Sequence, residues 1–144
     1  MHEKDTIELL KECNSGIKMA SDAIEEVLPK IKDDKMRALL KENKTDHDQL
    51  EDKTHQLLLQ YGEEDKDPGI IAKGMTWMKT NMKMTVDPGD DTIADLMCSG
   101  CDMGIRSLNK CLNKYSEADE QVRDLTKKVI VLEEHLSSEL RSFL

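Results

Sequence analysis

Cys13-Asn14-Ser15-Gly16-Ile17-Lys18 and Cys101-Asp102-Met103-Gly104-Ile105-Arg106 state one phrase twice, Cys-x-x-Gly-Ile followed by a basic residue. The copies stand 88 positions apart, and each lies within a stretch of helical periodicity. A helix repeated near each end of a chain predicts two helical hairpins packed face to face, with a cysteine at the matching place in both.

Working outward from the first copy, Ile7, Leu10, Cys13, Ile17, Ala20, Ile24 and Leu28 fall on one stripe at steps of three and four. Asp5 followed by Glu8 reads as a capping start, and Pro29, which lacks a backbone donor, should end this helix or kink it. A second helix is predicted from Asp33 or Asp34, with the stripe Met36, Leu40, Asn43, His47, Leu50, Thr54, Leu57 and Tyr61 and a left-handed stop at Gly62. Outward from the second copy, Met97, Cys101, Leu108, Leu112 and Tyr115 define a helix over about 92–115. Ser116 and Asp119 then introduce a fourth, whose stripe is Leu125, Val129, Leu132, Leu136, Leu140 and Phe143. The predicted organisation is one domain, 1–144, made of a hairpin over 6–62, a crossover over 63–91 and a hairpin over 92–144. Asp67-Pro68-Gly69 and Asp87-Pro88-Gly89 bracket a short fifth helix on the crossover, Ile70 to Met84, with Ile71, Met75, Met78 and Met82 at helical spacing.

Composition agrees with an all-α class. Of 144 residues, 35% are charged and 3% aromatic, with nine Met and seven Gly, which suits a water-exposed bundle filled with aliphatic side chains. The formal charge of −9 comes with no basic block, which argues against a nucleic-acid partner or an anionic membrane surface. The N-terminus leads straight into a charged amphipathic stretch, and no apolar run is long enough to cross a bilayer, so the expectation is no membrane partner and a cytoplasmic protein. In that compartment the four Cys are expected as thiols.

Short loop, long crossover, short loop is also the connectivity of ferritin-like bundles. On that architecture, and on the repeat of Cys13-x-x-Gly16-Ile17 by Cys101-x-x-Gly104-Ile105, the chain resembles the ferritin-like superfamily over roughly residues 6–144, and within it the small bacterial bundles of undefined role. The resemblance implies an all-α, ferritin-like four-helix bundle. Its di-iron members carry an inward Glu on two helices and Glu-x-x-His on the other two. Here the inward residues of the first and third helices are Cys13 and Cys101, and Lys44 and Leu132 stand three places before His47 and His135. The family's carboxylate site is therefore not expected, and ordinary ferroxidase or peroxidase chemistry loses its ligands.

A softer donor set remains: Cys13, His47, Cys98, Cys101 and His135, thiols and imidazoles that suit zinc or iron in tetrahedral form. Both histidines share the 88-residue offset of the cysteines, and Glu51 and Glu139 follow it. The packing register differs, because Met36, Leu39, Leu50 and Leu57 align with Val122, Leu125, Leu136 and Phe143 at an offset of 86. Counting back from the first turn sets Cys13 nearer the level of Glu51 or Thr54 than of His47. The plainer readings are that Cys13, Cys101 and Cys111 pack as small hydrophobes and that Asn43 and His47 form a buried hydrogen-bonded layer. Cys98-Ser99-Gly100-Cys101 has redox spacing but lies two turns inside a helix, away from the terminal amides that lower a thiol pKa. The Met residues, including Met84, Met97 and Met103, read as core filler, and His2 and His55 as solvated.

Gly16 sits with Leu9, Ala20, Ala23 and Val27 on a second strip of the first helix that could receive the crossover or a second subunit, and Trp77 lies on the crossover off its Met stripe. A homodimer is the expected assembly. No nucleotide loop, catalytic triad order or phosphate-binding glycine run is present. Two readings of function follow. The first is a non-catalytic scaffold for self-association or partner binding, without a cofactor. The alternative is a metal-binding (iron or zinc) or thiol-redox protein using the inward Cys and His.

Overall fold

The computed structural model describes residues 2–63 and 88–144. Among them are four long α-helices and no strand: α1 (His2–Val27), α2 (Asp34–Gln60), α3 (Asp90–Lys114) and α4 (Glu120–Leu140). The short helix expected over 70–84, with Trp77 and Met75, Met78, Met82 and Met84, lies outside the described residues.

Each helix boundary has a local cause. Pro29 stands in a 3₁₀ turn, Leu28–Lys30, that ends α1 at Val27. The Asp33 carboxylate accepts from Met36 N at 2.9 Å and caps α2. At the far end of α2, Gly62 adopts φ 73°, Glu63 N donates to Leu58 O at 2.9 Å and Gly62 N to Leu59 O at 3.0 Å, a Schellman closure that requires the left-handed residue. Asp119 is the N-cap residue of α4. Asp5 departs from the sequence reading: α1 already begins at His2, so Asp5 lies inside the first turn, where its charge favours the helix N-terminus. It also accepts from Glu117 N at 3.1 Å.

Two sets of polar contacts fix how the helices run. Lys32 N and Asp33 N donate to the two Asp90 carboxylate oxygens at 2.9 and 2.8 Å, so the α1–α2 turn and the start of α3 share one end of the bundle. At the other end Asp119 N donates to Thr6 Oγ1 at 2.8 Å and the Tyr61 hydroxyl to Asp119 at 3.2 Å, joining the start of α1, the end of α2 and the α3–α4 turn. Helices α1 and α4 therefore run one way and α2 and α3 the other, and the connection from 63 to 88 joins opposite ends. Within the square, α1 packs on α2 and α3 on α4 as hairpins; α2 also meets α4, and α1 meets α3 and, diagonally, α4.

The core has two apolar compartments. One, toward the α3–α4 turn, holds Leu9, Leu10, Cys13, Ile17, Leu57, Leu108, Val122 and Val129. The other, toward the α1–α2 turn, holds Ile24, Val27, Met36, Leu40, Ile93, Met97, Cys98, Cys101 and Leu136. The seam between them passes through Asn43 and His47 on α2 and Glu133 on α4, all buried. No described helix is long and apolar enough to cross a membrane.

Candidate functional site

The seam is where the interior turns polar. His47, fully buried, sets Nε2 2.9 Å from Glu133 Oε1 and Nδ1 3.0 Å from the carbonyl oxygen of Asn43, one turn earlier on its own helix. A carbonyl only accepts, so Nδ1 carries a proton, and the remaining ring nitrogen faces a carboxyl group. Burial works against a charged imidazole, but the hydrogen bond and charge of Glu133, joined by the Asn43 carbonyl and Asp48, outweigh it and raise the His47 pKa. The arrangement is a buried His–Glu pair that bridges the two hairpins.

Glu133 serves a second neighbour, Cys101. Burial, first, and then the charge of Glu133 and its hydrogen bond to the thiol push the Cys101 pKa well up, so the thiol keeps its proton. Cys98, one turn before Cys101, donates its S–H to the carbonyl of Ser137 at 3.6 Å, and burial raises its pKa too. Gly104 leaves room on the α3 side: a Cβ built there would stand 4.0 Å from Glu133 Cδ. Asn43 donates Nδ2 to Leu132 O at 3.3 Å, while its buried Oδ1 has no partner among the described residues. On the α1 side of α2, Ser21 donates to Asp48 at 2.5 Å, and Lys44 holds the other Asp48 oxygen at 2.9 Å.

Cys13 stands elsewhere. Asn14 Oδ1 accepts from Thr54 Oγ1 at 2.7 Å, which sets the level of Cys13 against Thr54, whereas His47 lies at the level of Ser21 through its neighbour Asp48. Eight residues of α1 separate Cys13 from Ser21, about 12 Å along the axis at ~1.5 Å per residue. Burial pushes the Cys13 thiol up to about 12, against the weaker opposing effect of a hydrogen bond with Thr126. His135 is exposed on α4. Of the five residues the sequence singled out, Cys98, Cys101 and His47 thus belong to one neighbourhood, and Cys13 and His135 to two others. Among the described residues, no group of three or more His, Cys, Asp or Glu side chains is arranged to hold a metal ion.

Glu133 is the residue of the candidate site that the stripe of α4 concealed. That stripe placed Leu132 inward, yet Leu132 is half-buried at the α2–α4 surface and Glu133 takes the inward place. The signal was the 86-residue offset of the packing register, which carries His47 onto Glu133, the residue it bonds.

Fold and site together define an all-α four-helix bundle whose two apolar compartments are divided by a buried His–Glu–Cys layer. No protein-family model matches the chain, and neither a curated protein nor a solved structure does.

Proposed function

We propose that the chain is a ferritin-like bundle whose interior has replaced the metal-binding carboxylates with a buried polar layer, and that it acts as a non-catalytic scaffold for self-association or partner binding. What supports the ferritin-like part is the helix order: two hairpins joined end to opposite end, with α1 antiparallel to both α2 and α3. What supports the scaffold part is how the inward donors are spent. Glu133 bonds His47 and acts on the Cys101 thiol, which keeps its proton, and Cys98 donates to a backbone carbonyl. A metal at this level would have to strip both protons from around Glu133 and leave other buried groups unpaired. Iron or zinc therefore does not fit the layer as it stands.

The test is elemental analysis of natively expressed protein purified without oxygen or chelator, together with a free-thiol count. The expected result is metal-free protein with four titratable thiols after unfolding. Near-stoichiometric iron or zinc, with thiols protected until the metal is stripped and metal lost on Cys101→Ser, would overturn the scaffold reading in favour of metal binding at the inward Cys and His.

A further inference from the structure

A groove of about 590 Å³ opens on the surface between α2 and α4. Its apolar lining is Leu50, Val131 and Leu132, and Val131 is 59% exposed. Its two ends carry opposite charge. Lys53, Lys127 and Lys128 line one end, and Asp46 lies toward the other, where α4 continues into exposed Glu134. Because α2 and α4 run antiparallel, both helices contribute the same polarity: Lys53 lies seven residues from Asp46 on α2 and Lys128 six from Glu134 on α4.

We propose that this groove is where a second copy of the chain docks, related by a two-fold axis that crosses α4 at Val131. The proposal rests on the self-association reading above and names its surface. A two-fold axis places position 131 − n of one copy opposite 131 + n of the other, and residues three, four and seven places from Val131 share its face of the helix. Lys128 then meets Glu134 of the second copy and Glu134 meets its Lys128, while Val131 packs on Val131. The same rotation lays the Lys53 end of α2 toward the Asp46 end of the other copy. Charge is thus complementary to itself on a chain whose net charge of −9 otherwise opposes association. Lys128 and Glu134 are six residues apart, not three or four, so they do not form an ion pair along their own helix.

The experiment is sedimentation equilibrium of the full chain over a concentration series. Wild type is expected to be dimeric, and Val131→Glu to be monomeric over the same range. Lys128→Glu and Glu134→Lys should each weaken dimerisation about tenfold, since each turns two attractive pairs into two repulsive ones. The double variant K128E/E134K, and an equimolar mixture of the two single variants, should both recover wild-type affinity. A dimer indifferent to all these changes would overturn this surface while leaving self-association standing. A wild-type chain that is monomeric throughout would overturn both.

Discussion

Cys13 and Cys101 occupy the same place in the repeated phrase and end in opposite surroundings. Cys13 lies in an aliphatic compartment with Leu9, Leu10, Ile17 and Val129, where the Thr126 hydroxyl bears on its thiol. Cys101 faces a carboxylate that also holds a buried imidazole. The phrase sets which face of its own helix turns inward; the helix across the bundle sets the chemistry that the face meets. Near Cys13, α4 presents Thr126, and near Cys101 it presents Glu133, seven residues later on the same helix. A sequence repeat can therefore carry packing symmetry without carrying a symmetric site.

The largest break in the comparison should come from Glu133→Ala. Removing one partner of a buried pair leaves the other charged or unbonded, and a loss of about 3–5 kcal/mol of unfolding free energy is expected in urea denaturation. Replacing both partners, as in His47→Leu with Glu133→Leu, should recover most of that loss, because an apolar pair leaves no buried group unpaired. A Glu133→Ala variant as stable as wild type would mean that the layer carries no weight.

Acidity should sharpen the contrast next. His47 has its folded-state pKa raised, so its pair stabilises fully below the unfolded imidazole value of 6.5 and loses that contribution as pH rises through the folded-state value. The unfolding free energy of wild type minus that of the His47→Leu, Glu133→Leu double variant should therefore fall as pH is taken above 6.5. A difference that stays flat or grows would contradict an imidazolium at this position. On the Cys13 side, Thr126→Val should cost only about 1 kcal/mol: the hydroxyl donates to Val122 O at 2.9 Å and touches the thiol, and valine fills the same space. Smallest is Gly104→Ala. Its new methyl would make ordinary contact with Glu133, so the helix-propensity gain of about 0.5–1 kcal/mol should show as a small rise in thermal midpoint.

Much of this was legible in the chain because helix punctuation acts locally. Pro29, Asp33 and Gly62 each mark a boundary through their own backbone or side-chain chemistry, whereas Asp119 stands at the N-cap position with its carboxylate turned to Tyr61 and makes no side-chain cap; the helices stop or start within a residue or two of all four. The inward residues of α2 were legible for the same reason: Met36, Leu40, Asn43, His47, Thr54 and Leu57 are all buried at the spacing their types predicted. The candidate site was only half legible. A carboxylate next to Leu132 reads as surface by its type, and its inward turn depends on a histidine 86 residues away. A single-helix stripe contains no term for that partner. Only the register that aligned one hairpin's apolar residues with the other's pointed at Glu133.

The separation between His47 and Glu133 also has a consequence in time. Each hairpin closes through a short turn, so its contacts form at little loop-closure cost, whereas the bond across the seam must wait until the long connection has brought the hairpins together. The polar layer is then expected to form late on the folding path, after the rate-limiting barrier. Changes at Glu133 should leave the refolding arm of a chevron nearly in place and raise the unfolding rate, making this layer the latch that sets how long a folded molecule stays folded.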